Sequence, residues 1–292
     1  MRFSLILGTV ERTDDLKLSL GSLDAQTHKD FELIVVDQNP DERLAPILAP
    51  YTDRFPLIHF RTTKRGLSRA KNLGLKRASR EVIGFPDDNC QYPPDLLERV
   101  DGFFASHPEV SGLCGRSVDE TGRDSNLLFD KEAGFVDRFN VWRRAMAYNI
   151  FLRRESVLGV FFDEELGPGA GTKWWAADET DFLLRVMERG ASVHYDPGCV
   201  AIHPQPFSSY DRDARRRAYH YGCGMGRVLD KHGYPPTFKA RMLAHPLKDT
   251  MISLARRDLP EARYLWSTFT GRVDGLISWP PGSTRRARNP AA

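Results

Sequence analysis

Short apolar runs alternate with helix-forming stretches along the first hundred residues, and this alternation restricts the possible folds more than any other feature of the chain. Strands are predicted at Phe3 to Leu7, Phe31 to Val36, Leu57 to Arg61 and Val82 to Phe85. Helices are predicted at Asp14 to Ala25, Ser68 to Ala78 and Pro94 to Phe104. Strands that alternate with helices pair mainly in parallel and are covered on both faces. The sequence therefore predicts an α/β fold with a mostly parallel central sheet flanked by helices.

Polar residues follow three of the predicted strands. They are Gly8-Thr9-Val10-Glu11, Asp37-Gln38-Asn39 and Asp87-Asp88-Asn89. In open parallel sheets, ligands bind beyond the carboxyl ends of the strands. We therefore expect the three segments to converge on one pocket.

The second half of the chain has a different pattern. A glycine-rich segment, residues 166–171, precedes a helix predicted at Glu179 to Arg189. Two long helices are predicted at Tyr210 to His232 and Thr237 to Trp266, separated by residues 233–236. The expected organisation is an α/β domain at residues 1–208, a C-terminal helical extension at 209–279 and a disordered tail at 280–292.

Charge, cysteine usage and hydropathy exclude several classes of protein. The formal net charge of +3 is too small to indicate a nucleic-acid partner. The four cysteines form no Cys-x-x-Cys pair, which argues against a zinc site. A disulfide framework is not expected in a chain of this length, which fits a reducing cytoplasm. No run approaches the ~18–20 apolar residues of a membrane span, so a cytoplasmic protein is predicted. Arginine clusters after Ser209 leave open a peripheral contact with the inner face of the membrane.

The acidic segment Asp87-Asp88-Asn89 is the first candidate for chemistry. It follows an apolar strand, so its oxygen atoms are expected at the rim of the sheet. Mg²⁺ and Mn²⁺ prefer such ligands, commonly one or two carboxylates together with substrate phosphates. A solvated turn that caps a helix has the same composition. These residues alone fit either interpretation.

A second acidic group, Asp178, Glu179 and Asp181, opens the helix predicted in the second half. Neighbouring carboxylates repel one another, which can raise the pKa of one and prepare it as a general base. Acidic residues also favour the first turn of any helix because of its dipole. Both interpretations remain open at this point.

Three further segments each allow a binding and a structural interpretation. Gly66 precedes a helix that bears Lys71, and this helix start either receives phosphate or is ordinarily capped. His203 is either a metal ligand or a hydrogen-bonded residue at a strand end. Trp174 and Trp175 either stack on a sugar ring or anchor a loop.

Taken in order, four segments resemble motifs of family 2 glycosyltransferases, which have the Rossmann-like GT-A fold. They are residues 19–37, residues 66–75, Asp87-Asp88-Asn89 with the following Tyr92 to Leu97, and residues 178–185. The resemblance extends from Phe3 to about His203. It implies an inverting transfer of a sugar from a nucleotide-diphosphate donor to a hydroxyl of a saccharide or lipid-linked acceptor, with Mg²⁺ or Mn²⁺ as cofactor. Cell-surface polysaccharide or glycolipid synthesis is the implied setting.

The resemblance also implies the residues of the donor site. Thr9, Glu11 and Asp37 would surround the nucleotide base and ribose, and Asp37 could accept a hydrogen bond from a uracil N–H. Lys71 would lie near the donor phosphates. Asp87 would contact the ribose or the donor sugar.

Metal binding and catalysis are implied for the remaining motif positions. Asn89 would occupy the usual metal-ligand position with Asp88 beside it, and His203 would complete the metal or acceptor side. Glu179 is the expected catalytic base, with Asp178 as the second choice.

Acceptor recognition is expected at Trp174, Trp175 and Asp181. The basic and apolar C-terminal helices could contact a membrane, pack on the core domain or form a homodimer.

Three positions depart from the family pattern. Asn89 is a neutral and weaker ligand than the usual aspartate. Asp178-Glu179 inverts the usual Glu-Asp order. Lys71 replaces the planar guanidinium of an arginine with a point charge.

Two alternatives to a glycosyltransferase remain. A nucleotidyltransferase of similar architecture would need an N-terminal glycine-rich signature, which residues 7–12 lack. A nucleotide-sugar-binding protein with weakened or lost transfer activity would be consistent with Asn89.

Overall fold

The computed structural model of the protein describes residues 1–205 and 209–277. Their contacts divide the described chain into two units. The sheet unit comprises residues 1–163 and 179–205, and the helical unit comprises residues 164–178 and 209–277. The predicted disordered tail at 280–292 lies outside the described residues, and the predicted division into residues 1–208 and 209–279 stays a prediction.

Within the described residues, the strands form a sheet of eight in the order β3-β2-β1-β4-β7-β5-β8-β6. The strands are β1 (Phe3–Thr9), β2 (Phe31–Asp37), β3 (Leu57–Arg61), β4 (Val82–Gly84), β5 (Gly112–Val118), β6 (Gly134–Phe135), β7 (Ile150–Arg153) and β8 (Val193–Ile202). The first four pair in parallel, which confirms the α/β prediction.

The register of the parallel half fixes where the polar strand ends lie. Phe3 of β1 is paired with Phe31 of β2, and Thr9 is paired with Asp37. On the other side of β1, Leu5 is opposite Gly84, the last residue of β4. Because all three strands run the same way, Thr9, Asp37 and the residues after β4 emerge at one edge of the sheet, as the sequence predicted.

The other half of the sheet joins through β7, which is antiparallel to both β4 and β5. Strand β5 then pairs in parallel with β8 across an irregularity after Gly115. The side chain of Asn149 fills this irregularity, and its amide donates to the carbonyls of Arg116 and Cys199. A Cβ at Gly115 would lie 2.1 Å from the Cys199 carbonyl oxygen, so only glycine allows this close approach.

Ten α-helices lie within the described residues. They are α1 (Asp14–Asp24), α2 (Ala45–Leu48), α3 (Leu67–Leu75), α4 (Leu96–Ser106), α5 (Val141–Arg144), α6 (Arg154–Val157), α7 (Asp178–Glu188), α8 (Arg212–Lys231), α9 (Pro236–Ala255) and α10 (Leu259–Ile277). In the part of the chain that the structure describes, none combines the length and the apolar character needed to cross a bilayer.

The helix predicted at Thr237 to Trp266 was wrong, since the structure has α9 and α10 in its place. The break follows Arg256, and Arg257 adopts a left-handed conformation with φ of 60°. A left-handed residue ends an α-helix because its carbonyl leaves the helical direction.

Apolar side chains from β1, β2, β4, β5, β7 and β8, together with α1 and α4, form the core of the sheet unit. Leu5, Leu7, Leu33 and Val35 are fully buried on the strands, and Leu97 is buried on α4. Nearly continuous apolar runs are typical of strands covered on both faces. This core holds the strand ends rigidly enough to build a site on them.

Within the helical unit, helices α8 and α10 approach each other through glycine. A Cβ at Gly226 would lie 2.2 Å from the Arg272 carbonyl oxygen, and one at Gly275 would lie 2.1 Å from the Cys223 carbonyl oxygen. A Cβ at Gly222 or Gly271 would likewise lie 2.6 or 2.1 Å from a backbone oxygen of the other helix. Both helices therefore carry glycines four residues apart on one face, so that their backbones touch directly.

Gly275→Ala should destabilise the protein, although the same substitution favours an isolated helix by about 1 kcal/mol. The new methyl group would overlap backbone atoms, which cannot move aside as a side chain could. We expect a loss of about 1–3 kcal/mol, measured by calorimetric unfolding.

Gly102→Ala in α4 is the matched control, since a Cβ there meets nothing within 4 Å. It should raise the melting temperature. If Gly275→Ala raised it as well, close glycine packing of α8 on α10 would be disproved.

Candidate active site

The carboxylate of Asp88 lies at the centre of the polar strand ends. Its side chain is 8% exposed. Thr9, the last residue of β1, donates from Oγ1 to Asp88 Oδ2 at 2.8 Å. Arg12, in the turn before α1, donates from Nη1 to Asp88 Oδ1 at 2.9 Å. The structure therefore brings together two of the predicted site residues, Thr9 and Asp88, and adds Arg12, which sequence reasoning missed.

Asp88 is held in an environment that disfavours its charge. Burial, and then the negative charge of Asp87, raise the pKa of Asp88 to about 6, although Arg12 and Thr9 act in the opposite direction. The Asp87 carboxylate in turn accepts a hydrogen bond from the Asp88 backbone N–H. Two adjacent carboxylates with one arginine form a site that favours an additional cation.

The side chain of Asn89, the next residue in this acidic turn, has a buried oxygen. Its Oδ1 is buried and has no hydrogen-bond partner within the described residues. A buried acceptor without a partner costs free energy, which a ligand can recover. Residues 1–205 and 209–277 contain no group of three or more His, Cys, Asp and Glu side chains arranged around a metal. The predicted role of Asp88 and Asn89 as metal ligands stays a prediction.

Asp37 is fully buried at the end of β2. Its Oδ1 accepts from the backbone and side-chain N–H groups of Asn39, and its Oδ2 lies 3.1 Å from His59 Nε2. Asn39 Oδ1 also accepts from the backbone N–H of Glu11. Asp37 therefore fixes the loops after β1 and β2 to each other. Its predicted hydrogen bond from a nucleotide base would have to form in addition to these hydrogen bonds.

Gln38 is a second residue that sequence reasoning did not assign. Its backbone N–H donates to the Thr9 carbonyl, and its side chain is almost fully buried. Its Oε1 has no hydrogen-bond partner within the described residues. The amide lies near Gly8 and the start of α3. In the sequence, only the position of Gln38 next to Asp37 indicated that it could belong to the site.

Three aromatic rings connect the acidic turn to helix α7. Phe85, which follows β4, makes edge contacts with Phe162 and Phe182. Phe162 and Phe182 stack with ring centroids 4.0 Å apart. Phe182 lies one turn after Glu179, so this cluster positions the start of α7 next to the segment that leads into Asp87.

Lys71 of α3 joins the same cluster. Its Nζ lies 4.8 Å from the centre of the Phe162 ring, and its side chain is buried. The neighbouring Asn72 exchanges two hydrogen bonds with the backbone of Phe162. A cation over an aromatic face is stabilised by the ring quadrupole. The predicted phosphate-side lysine is therefore held on the ring that also positions α7.

Helix α7 begins at Asp178, as the sequence predicted to within one residue. Asp178 is buried and Glu179 is half-buried. Asp181 is fully buried and accepts from Arg185, one turn along the helix, at 2.9 Å. Arg185 also donates to the Phe161 carbonyl. Asp181 is thus engaged in an ion pair at this position, and its predicted role toward an acceptor stays a prediction.

His203 follows β8 and is buried. Its ring stacks on Tyr148, and its Nδ1 lies 2.6 Å from the Pro204 carbonyl oxygen and 3.0 Å from the Asn126 side-chain amide. The preceding Ile202 pairs with Gln91, two residues after Asn89. The end of β8 therefore lies along the acidic segment.

Trp174 and Trp175 belong to the helical unit. The Trp175 ring stacks on His220 of α8 with centroids 4.0 Å apart, and its Nε1 donates to the Thr172 carbonyl. Arg227 lies over the Trp174 ring at 5.3 Å. Both tryptophans thus anchor their segment on α8. Their predicted role in acceptor binding stays a prediction.

A mixed sheet of this order, with an acidic turn beyond its central strands, defines a GT-A type α/β domain. The mannosyltransferase PcManGT from Pyrobaculum calidifontis, solved with GDP-Man and Mn²⁺, superposes with a TM-score of 0.67 at 18% identity. The match covers 96% of this chain and 88% of that one. At this identity the similarity shows the fold alone, and it confirms the GT-A prediction.

Residues 4–159, more than half of the chain, match the profile of Glycosyl transferase family 2. The chain belongs to this family, as the sequence motifs predicted.

Two relatives illustrate the range of the family. Hyaluronan synthase of Pasteurella multocida is 34% identical over 70% of this chain but only 24% of its own length. A PGL/p-HBAD biosynthesis glycosyltransferase of Mycobacterium bovis is 37% identical over 65% of this chain and 72% of its own length. The chain thus spans about a quarter of the first relative and most of the second.

Asp88→Asn should gain stability relative to the wild type as the pH rises from about 4 to about 7. The pKa of the Asp88 carboxyl is about 6 in the folded protein, against an ordinary value of 3.8. The unfolded state therefore releases its proton first, and ionisation in the fold costs free energy within this window. We expect the difference to grow by about 2 kcal/mol, since one pKa unit corresponds to about 1.4 kcal/mol. Thermal unfolding in EDTA measures it.

Asp119→Asn is the control with the opposite sign. Hydrogen bonds from the side chains of Gln205 and Thr121 lower the pKa of Asp119. This variant should be less stable than the wild type across the same range, with recovery only below about pH 4. If the stability of Asp88→Asn and of the wild type changed identically with pH, the raised pKa of Asp88 would be contradicted.

Proposed function

We propose that the chain is an inverting glycosyltransferase that moves a sugar from a nucleoside-diphosphate donor to an acceptor hydroxyl. The observation that carries the proposal is the aromatic cluster of Phe85, Phe162 and Phe182. It joins an acidic turn, a buried lysine and the part of α7 that bears Glu179, all within the sheet unit. Membership of Glycosyl transferase family 2 supports the same reaction class.

Glu179 is the proposed general base. Its carboxylate would take the proton from the acceptor hydroxyl as that oxygen attacks the anomeric carbon from the face opposite the leaving group. The new carbon–oxygen bond forms as the bond to the nucleoside diphosphate breaks, and the diphosphate leaves with the electron pair. A single displacement of this kind inverts the anomeric configuration. Asp178 is the second choice for the base, because the two residues are adjacent at the helix start.

Donor binding is proposed for Thr9, Glu11, Asp37, Lys71 and Asp87, with Gln38 added from the structure. The Gln38 Oε1 is an acceptor within the sheet unit that lacks a partner among the described residues, which suits an N–H of a nucleobase. Lys71 would balance phosphate charge. The solved neighbour PcManGT binds GDP-Man, which supports a nucleotide-sugar donor without fixing the base.

Asp87, Asp88 and Asn89 would hold Mg²⁺ or Mn²⁺, with His203 as the further candidate ligand. The buried Asn89 Oδ1 and the repulsion between the two carboxylates support this assignment. When bound, the ion would neutralise charge on the departing diphosphate. Arg12 would have to share or release Asp88, since it donates to that carboxylate in the structure.

The acceptor is proposed to be a saccharide or a lipid-linked saccharide in the synthesis of a cell-surface polysaccharide or glycolipid. The names of the two relatives, a hyaluronan synthase and a PGL/p-HBAD biosynthesis glycosyltransferase, support this setting. Trp174, Trp175 and Asp181 remain the proposed acceptor residues. All four cysteines are buried thiols, which supports a reducing, cytoplasmic location.

Glu179→Gln should lower kcat by about 10²–10⁴-fold, since an amide cannot accept the acceptor proton. The KM for the donor should change little, because the base acts on the acceptor. Product formation with a panel of nucleotide sugars and acceptors measures both. Glu188→Gln, at the other end of α7, is the matched control and should keep wild-type turnover. If Glu179→Gln kept the wild-type kcat, either Asp178 would be the base or the proposed mechanism would be rejected.

Gln38→Met should stabilise the unliganded protein and weaken nucleotide binding. The substitution removes a buried acceptor whose desolvation costs about 1–3 kcal/mol. A nucleoside diphosphate at 100 times its Kd should stabilise the wild type by about 2.7 kcal/mol. Thermal shifts with UDP, GDP, CDP and ADP in Mn²⁺ measure both effects.

Gln205→Met is the control for this experiment. The Gln205 amide donates to Asp119 and to the Asp124 carbonyl, so its loss should lower stability and leave nucleotide binding intact. If no nucleotide stabilised the wild type, the proposed donor class would be rejected. If Gln38→Met bound nucleotide as well as the wild type, only the role of Gln38 would be rejected.

A nucleotide-sugar-binding protein without transfer activity is the second candidate. Asn89 favours it, because an amide oxygen binds a cation more weakly than a carboxylate. Nucleotide stabilisation without transfer or donor hydrolysis would identify this function.

A further inference from the structure

Helix α9 exposes large apolar side chains along one face. Leu247 is 38% exposed, Met251 61% and Leu254 45%. These positions are four and seven residues apart, so they form one stripe along the helix. The face buried through Pro246, Thr250 and Ser253 lies about 100° around the helix from this stripe. The exposed stripe is thus a surface feature of a helix that is anchored on an adjacent face.

Basic side chains border this stripe. Arg241 and Lys248 are exposed and lie about 100° around the helix from the apolar stripe. Arg256 and Arg257 are exposed in the turn after α9. Within α9 the acidic residue is Asp249, and it is paired with His245 at 3.0 Å. The exposed half of the helix is therefore apolar and positively charged.

We propose that this stripe, Leu247, Met251 and Leu254 with the bordering basic residues, binds the surface of an anionic lipid bilayer. The helix would lie in the plane of the interface, with its apolar side chains among the lipid chains and its basic side chains at the head groups. Charge complementarity selects this occupant, since Lys and Arg near an anionic surface each strengthen binding by about fivefold.

A second copy of the chain fits the stripe less well. A two-fold symmetric interface brings the same surface of both copies together. Arg241, Lys248 and Arg256 of the two copies would then face one another, and juxtaposed like charges oppose association. An anionic bilayer satisfies both the apolar and the basic part of the surface.

Vesicle flotation of the full chain tests the inference, and no sugar donor is needed. The wild type should float with vesicles containing about 30 mol % phosphatidylglycerol and much less with pure phosphatidylcholine. Binding should fall at about 0.5 M NaCl because salt screens the head-group charge. The experiment is independent of the proposed transfer reaction.

Two variants locate the contact. Leu247→Glu/Met251→Glu should reduce flotation by at least about tenfold, because it places carboxylates in the apolar stripe. Arg241→Glu/Lys248→Glu should reduce it similarly on anionic vesicles, because it reverses the bordering charge. Both pairs are exposed, so the fold should be retained, as thermal unfolding would verify.

Leu18→Glu is the matched control. It makes the same change at a leucine that is 58% exposed on α1 of the sheet unit, and it should float like the wild type. Absence of wild-type flotation, or equal loss in Leu18→Glu, would overturn the proposal. So would a wild-type dimer that Leu247→Glu/Met251→Glu converts to a monomer, because the stripe would then bind a second copy.

Discussion

Stacking of Phe162 on Phe182 is the contact on which the geometry of the site depends. The two rings lie nearly parallel with centroids 4.0 Å apart, and Phe85 meets both edge-on. One ring comes from the segment before the helical unit, one from α7 and one from the end of β4. Glu179, Asp87 and Lys71 are each fixed to this cluster by their own backbone or side chain. A helix start that bears Glu179, an acidic turn and the buried Lys71 therefore share one apolar support.

The parallel half of the sheet could be predicted from the sequence because its strands are continuous apolar runs bounded by turn residues. Strand β5 could not be predicted in this way, because glycines and an arginine interrupt its sequence, Gly112-Leu113-Cys114-Gly115-Arg116-Ser117-Val118. Gly115 is required by close contact with Asn149 and Cys199, and Gly112 by close contact with Leu152, all of which lie far away in the sequence. The break between α9 and α10 was missed for a local reason: Arg257 adopts a left-handed conformation without glycine or proline to mark it.

Motifs indicated the candidate site residues but not their partners. The bond between Thr9 and Asp88 joins residues 79 positions apart, and nothing near Arg12 in the sequence indicates that it pairs with the same carboxylate. Asp37 was expected to face a ligand, which stays a prediction, and the structure shows its carboxylate bonded to Asn39 and His59. Motifs identify which chemistry is present, whereas burial and long-range pairing decide which atoms remain available for it.

The direct backbone contact between α8 and α10 has a consequence for how the chain can change in length. One inserted residue rotates the rest of a helix by about 100°, which would turn Gly226 or Gly275 away from the contact and bring a bulky side chain into it. Gly224 adds a third constraint, because a Cβ there would lie 2.3 Å from the Ala176 carbonyl oxygen. Insertions and deletions should therefore be tolerated in the turns before α9 and α10 and rejected within α8 and α10. Among homologous chains, these two helices should keep their length even where sequence identity is low.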